Sequence, residues 1–381
     1  MEPIFSSISN NAYDLYTLLR CIGFAQKARV QITPDGIRFS VEESRVMQGL
    51  VFLDKALFTT YTFNSTPTAG GSQTRNDHNP DDEEPAAYPQ FLISLTALLE
   101  TLQIFGISDT NSVPSFPNAA IQNTPAGAFT NPALLLGRSC TLQYSDVGSP
   151  FCITLSESGV TTTCELTTYE SDDPTFGSAA GEVDIPLQRD AIVMKIIMRS
   201  SWLYNAISEL DATTPTVLTI SASSKKAPFL TLSSSGGPFS ESSVTFSTEN
   251  ETIEGDTHYK SIGDNGPIAS KRAKLAPAVT ETFQVNPPST MGPLVKESYR
   301  FALIRKAARA MAAATKVSIR GDIQGVLSLQ FMIELGSDGK ATSEAGVAGV
   351  AYPRNVSFVD FRFVPLVGQE DEQQEEEGGG R

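Results

Sequence analysis

One structural unit recurs four times along this chain: a leading strand, one amphipathic helix, then two or three further strands. Repetition at this scale implies a repetitive architecture and limits the possible folds more than any motif does. Asn10–Ala25 carries Leu15, Leu18, Leu19 and Ile22 at helical spacing, with Asn10 or Asn11 as the cap. Strand patterns follow at Ala28–Ile32, Ile37–Val41, Val46–Leu53 and Phe58–Phe63, with Thr33-Pro34-Asp35-Gly36 as a turn. A second helix is expected from about Phe91 to Phe105 on Leu95, Leu98, Leu99 and Leu102, with Gly106 at its C-cap. Strands are expected next at Thr141–Tyr144, Phe151–Ser156 and Val160–Thr167.

The second half repeats this order. A strand at Ala191–Met198 precedes a helix at Ser201–Leu210 with Leu203, Ile207 and Leu210 inward. Strands at Val217–Ser221, Phe229–Ser233, Ser243–Thr248 and Glu281–Val285 lead to a fourth helix within Lys296–Ala314. Strands at Lys316–Arg320, Val326–Ile333 and Ser357–Phe363 close the pattern. The four units pair into two domains, each sheet burying one face under two helices while the other face forms an outer wall.

The charge of −15 argues at first against a polyanionic partner. Its distribution reverses that argument. The tail after Gly368 carries Glu370, Asp371, Glu372, Glu375, Glu376 and Glu377 against Arg381. Ser65–Pro89 carries Asp77, Asp81, Asp82, Glu83 and Glu84 against Arg75, and Glu170–Asp184 carries five acids and no base. These three stretches hold −14 of the −15, so the rest is close to neutral. They are poor in large apolar residues; the first two read as disordered and the third as an extended linker. Residues 109–130 and 249–278 read as insertions. The second contains Lys271, Arg272 and Lys274, a basic cluster suited equally to nuclear import and to a solvated loop.

The fourth helical segment is the informative one. Lys296–Lys316 holds Lys296, Arg300, Arg305, Lys306, Arg309 and Lys316 against the single acid Glu297. At 100° per residue Arg305, Lys306 and Arg309 share one arc, opposite Leu303, Ala307 and Met311. No Glu stands at i,i+4 to neutralise them, and such a face suits phosphate contacts that position a duplex without reading its sequence. Arg20 points away from the first helix's apolar stripe, and Lys27 follows that helix. The second helix shows Glu100 and Gln103, and the third Asn205 and Ser208.

Catalytic signals are weak. No phosphate-loop, nucleophile-elbow or zinc-protease motif occurs. His78 and His258 fall in loop-like stretches, and Cys21, Cys140, Cys152 and Cys164 read as buried reduced thiols. Asp81-Asp82-Glu83-Glu84 sits where carboxylates are not held at fixed geometry. Glu42, Glu43 and Asp211 suit turn and capping roles. No apolar run reaches the ~18 residues of a membrane span, and no secretory leader is evident, so a soluble intracellular chain is expected.

Asp14-Leu15-Tyr16-Thr17-Leu18-Leu19-Arg20-Cys21-Ile22-Gly23-Phe24, Gly36–Val46 with Gln48, Leu98–Gly106, Ile207–Asp211, Lys316–Arg320 and Gly325–Ile333 stand in a familiar order. Through these segments the chain resembles the Rad-one family, a subunit of the nine-one-one DNA-damage checkpoint clamp related to PCNA-type sliding clamps. Its insertions depart from the compact animal form and are fungal in character. The resemblance implies an α+β chain of two PCNA-like domains, each with two helices on one face of curved antiparallel sheets. Their expected bounds are 1–168 and 189–368, with a connector at 169–188 and an acidic tail at 369–381.

The resemblance further implies a non-enzymatic nuclear subunit without cofactor. Its partners would be two paralogous clamp subunits pairing at β-edges, double-stranded DNA, a clamp loader, and checkpoint and repair proteins. Arg20, Lys27, Arg300, Arg305, Lys306 and Arg309 would face the DNA channel; Asn205 replaces a base of similar proteins. A partner-peptide groove would involve Val41, Val46, Gln48, Phe176, Val364 and Pro365, with core packing the competing role for Val41 and Val46. A DNA exonuclease and a homotrimeric processivity clamp are the alternatives.

Overall fold

The computed structural model describes residues 2–64, 88–104, 139–157, 159–170, 184–238, 241–246, 279–288, 292–336 and 356–366. Residues 65–87, 109–130 and 249–278 of the inserted stretches, the tail, the 271–274 basic cluster, Asp81–Glu84, both histidines, Gly106 and Phe176 therefore lie outside the described residues. Two compact units emerge. One comprises Met1–Glu42, Gly49–Asp184 and Glu334–Ser357; the other comprises Glu43–Gln48, Ile185–Ile333 and Phe358–Arg381.

The first unit is built from β1 (Phe5–Ser9), α1 (Ala12–Cys21), β2 (Lys27–Thr33), β3 (Gly36–Glu43), β4 (Met47–Asp54) and β5 (Thr60–Phe63), followed by β6 (Gln90–Ser94), α2 (Leu95–Gln103), β7 (Ser139–Tyr144), β8 (Phe151–Glu157) and β9 (Val160–Leu166). One sheet has the order β5-β1-β7-β8-β9, and β4, β3, β2 and β6 are neighbours in another. Strict alternation of buried and half-buried residues along β1 and β7 gives each strand one core face. The β2–β3 hairpin turns at Gly36, whose added Cβ would stand 2.3 Å from the Leu53 carbonyl oxygen. Only a glycine allows that approach.

Asn11 caps α1, its Oδ1 accepting the Asp14 N–H at 3.3 Å while its Nδ2 donates to Asp14 Oδ2 at 2.8 Å. α1 and α2 pack together, and Leu15, Leu18, Leu19, Ile22, Leu95, Leu98 and Leu102 are all buried. Each such side chain contributes about 1.5–3 kcal/mol of burial. The helix expected from Phe91 begins four residues later. Gln90–Ser94 is a strand paired with β2, and the Ser94 hydroxyl caps α2 by accepting the Ala97 N–H. Phe91 and Ile93 are buried on alternate positions, and Leu95 continues that alternation into the first turn of α2, so the apolar run shows no break.

The second unit contains β10 (Ile192–Arg199), α3 (Ser200–Asp211), β11 (Val217–Ser223), β12 (Leu230–Ser235), β13 (Ser242–Phe246), β14 (Thr280–Val285) and β15 (Leu294–Arg300). It continues with α4 (Phe301–Lys306), α5 (Ala308–Ala313), β16 (Lys316–Asp322), β17 (Leu327–Glu334) and β18 (Val356–Phe363). Its strands are ordered β14-β10-β16-β17-β18 and β13-β12-β11-β15. The expected fourth helix is two short ones. At Ala307 the N–H donates to Ile304 O, a 3₁₀-type closure, before α5 resumes. Lys296 and Arg300 lie on β15, not on a helix. β15 pairs with β11 along its length, which sets that segment as strand despite its helix-compatible composition. α3 packs on α5, and the buried Ser200 hydroxyl donates to Met311 O at 2.7 Å.

Cys21 and Cys140 are buried reduced thiols, and burial pushes the Cys140 thiol up to about 12. Cys152 and Cys164 differ from expectation: both are only half-buried, Cys152 because it alternates with the buried Phe151 and Ile153 of β8, Cys164 because β9 ends its sheet.

Candidate nucleic-acid interface

The candidate channel cations of the second unit sit on α4, α5 and the end of β15. Ile304, Ala307, Ala310 and Met311 are buried, which turns Arg305 and Arg309 outward; both are exposed. Leu303, expected opposite the cations, is half-buried, and Ile304 fills the core position instead. Arg300 is exposed at the N-cap of α4.

The acids are less segregated from this face than the sequence suggests. Asp211, at the end of α3, lies 3.3 Å from Arg305 Nη1, and Glu43 lies 2.9 Å from Lys306 Nζ. Lys316 pairs with Glu281 at 2.8 Å. The Arg305 side chain keeps 59 % of its exposure, so this is a surface pair worth about 0–1 kcal/mol. A phosphate competes for a guanidinium held that weakly, because four of its five N–H donors are not engaged by the single bond to Asp211. Lys306 is more enclosed and more firmly held. Neither acid had a usable signal in the sequence: Asp211 and Arg305 stand 94 positions apart.

In the first unit the cations lie against aromatic rings. The Arg20 guanidinium carbon is 5.8 Å from the centroid of Tyr16, and Lys27 Nζ is 4.5 Å from that of Tyr169. Tyr16 Oη accepts a bond from Gln103 Nε2 of α2. Tyr169 exchanges both backbone hydrogen bonds with Leu92 at 2.8 and 2.9 Å, which holds its ring beside Lys27. On α3, Asn205 is exposed, and so is Trp202, with 46 % of its surface in solvent.

The model of the family described as "Repair protein Rad1/Rec1/Rad17" matches residues 4–333. The chain belongs to the Rad1/Rec1/Rad17 family. It is 30 % identical over 361 residues to the DNA damage checkpoint control protein rad1 of Schizosaccharomyces pombe, covering 94 % of this chain and 86 % of that one. It is 28 % identical over 324 residues to the cell cycle checkpoint protein RAD1 of Mus musculus, covering 85 % and 84 %. A crystal structure of PCNA from Thermococcus kodakaraensis matches 95 % of this chain and 100 % of its own, at a TM-score of 0.55 and 14 % identity. The fold is the PCNA-like one, α+β with mostly antiparallel sheets. The chain is a Rad1-type checkpoint-clamp subunit, a non-catalytic protein of the DNA damage checkpoint.

The other residues expected in this Rad1-family chain divide by burial. Val41 and Gln48 retain 3 % and 2 % exposure, so neither offers its side chain to a peptide. Gln48 serves the interior instead, where its Oε1 accepts the Ile185 N–H at 3.1 Å. Arg362 Nη1 donates to the Ile185 carbonyl at 2.8 Å, so both backbone groups of that residue are held by side chains. Arg362 has no distinguishing signal in the sequence, because it sits in an alternating strand with nothing to mark it. Val46, Val364 and Pro365 stay at least partly accessible, and the Val364 N–H donates to Val46 O at 2.9 Å. Asp184, counted with the acidic connector, pairs with Arg38 of β3. Among the described residues no three His, Cys, Asp or Glu side chains gather to hold a metal, and no helix is long and apolar enough to cross a membrane.

Proposed function

We propose that this chain closes a ring with two paralogous subunits and that the ring encircles double-stranded DNA in the nucleus. The exposed, outward-turned Arg305 and Arg309 carry this reading. Arg300, Lys306, Arg20 and Lys27 add charge at the channel wall. A loader sets the ring on DNA, and checkpoint and repair proteins dock on it. Domain bounds at 1–168 and 189–368, with the connector at 169–188, go with this reading. Edge strands such as β9 and β13 end their sheets, and pairing with a neighbour's edge would extend each one. The accessible part of a peptide groove narrows to Val46, Val364 and Pro365, with Phe176 contributed by the connector. Lys271, Arg272 and Lys274 serve nuclear import.

The test is DNA binding by the assembled ring across a salt series. Each lost phosphate contact should lower the slope of log K against log salt by about 0.9. Arg305→Glu with Arg309→Glu should therefore lower it by about 2. An unchanged slope would remove these residues from the channel. Light scattering on the isolated chain should show no closed self-trimer; a trimer would favour a homotrimeric clamp.

A further inference from the structure

The second unit holds a cavity of about 310 Å³ on the sheet face of β10, β14 and β16, lined by none of the candidate channel cations. Leu187, Arg189, Lys195, Gln284, Asn286 and Arg320 line it, and no lining residue is acidic. Across the sheet Lys195 stands directly opposite Gln284 on one side and Arg320 on the other. Like charges placed opposite each other in a strand pair destabilise it, so this juxtaposition calls for an anion. Arg320 is held in place by Ser318 Oγ at 3.1 Å and by Gln330 Oε1. Among the described residues none of the three cations is paired with a carboxylate.

The described chain stops beside the β16–β17 turn, which is tied to the segment that edges this cavity. The Leu366 N–H donates to Ser298 O at 2.7 Å, and Pro365 Cγ lies 3.0 Å from where a Cβ on Gly325 would stand. Gly325 belongs to the β16–β17 turn, whose Asp322 Oδ2 accepts the Gln188 N–H at 3.0 Å. Gln188 is flanked by the lining residues Leu187 and Arg189. Glu370, Asp371, Glu372, Glu375, Glu376 and Glu377 follow in the sequence. An extended chain advances about 3.3 Å per residue, so these acids begin about 13 Å from Leu366, within reach of the cavity.

We propose that the basic cavity formed by Arg189, Lys195 and Arg320 is the docking site of this chain's own acidic segment, residues 367–381. Carboxylates of that segment separate the opposed cations Lys195 and Arg320, and the segment occupies the site in competition with any other acidic peptide. The inference needs neither DNA nor ring partners, so it stands or falls apart from the ring reading.

The test uses the full chain and a fluorescein-labelled peptide of residues 367–381, followed by anisotropy at low salt. In one variant the tail is neutralised by Glu370→Gln, Asp371→Asn, Glu372→Gln, Glu375→Gln, Glu376→Gln and Glu377→Gln. A tethered segment competes at about millimolar effective concentration, so the neutral-tail chain should bind the peptide about tenfold or more tighter than the unaltered chain. Adding Arg189→Glu and Lys195→Glu, both at exposed positions, should abolish that binding with thermal melting unchanged. Failure of the neutral-tail chain to bind, or binding that survives these substitutions, overturns the site. Equal binding by the unaltered and neutral-tail chains overturns the tail as occupant and leaves the cavity to an acidic segment of another protein.

Discussion

The helices of the two units begin differently. α1 and α2 start at Asn11 and Ser94, whose side chains accept a first-turn N–H. α3 and α4 start at Arg199 and Arg300, and neither receives a side-chain cap. A cation at a helix N-terminus opposes the macrodipole, and a missing cap forgoes about 1 kcal/mol. The first unit thus uses these positions for helix stability, while the second gives them to exposed arginines. A residue type that works against its own helix, repeated at equivalent starts, points to a demand from outside the fold. The DNA of the proposed ring would meet it.

If the units differ in surface and not in core, their interiors should respond alike. Leu18→Ala in α1 and Met311→Ala in α5, both at buried sites, should each cost about 2–5 kcal/mol in denaturant unfolding. A much smaller cost at Met311 would mean that the split α4–α5 pair is loosely packed and that the units differ inside as well. The surface contrast is sharpened by comparing Arg20→Glu with the Arg305→Glu, Arg309→Glu pair in the assembled ring. The pair should lower the salt slope by about 2 and the single change by about 1 at most. Equal effects would spread DNA contact over both units.

The caps provide a smaller and more direct comparison. Asn11→Ala should destabilise by about 1 kcal/mol, whereas Arg300→Asp should stabilise by a similar amount while weakening DNA binding. Loss of stability at Arg300→Asp would show that the arginine has a structural role.

The smallest effect is expected at Glu297 on β15. Burial, and then the nearby Asp322, raise its carboxyl above the usual range. A carboxyl raised in the folded state adds stability while protonated, below the ordinary carboxylate range, and loses it as pH rises through the raised value. Glu297→Gln should therefore raise Tm near neutral pH, by on the order of 2 °C, with the gain vanishing in acid. A gain that is equal at both pH values would contradict the assignment.

Helical stripes were legible because buried leucines recur every three or four residues, and Leu15, Leu18, Leu19 and Ile22 are indeed buried. The errors cluster where strand passes into helix with no loop between: Ser94 to Leu95 and Arg300 to Phe301. At neither joint does a glycine or proline mark the change: apolar residues run on from Phe91 to Leu95, and the polar Lys296–Arg300 run suits a helix surface as well as a strand. At Asn11 an asparagine does mark the helix start, and there the boundary was readable. Of the candidate site, Arg305 and Arg309 were readable because one helical arc carries them outward. The buried state of Gln48 was not, since a lone polar residue in a strand gives no sign of a distant backbone donor.

The sequence alone determined what depends on neighbours within a few positions: the periods, the α1 cap, the localisation of the net acidic excess to three stretches and a local basic excess at Lys296–Lys316. Tertiary structure decided which charges meet. Asp211 reaches Arg305, Glu43 reaches Lys306, and Gln48 and Arg362 grip Ile185. It also set Lys195 against Arg320 across two strands. Such pairs close long loops of chain, and their geometry comes from strand register and core packing, which no local pattern of side chains encodes.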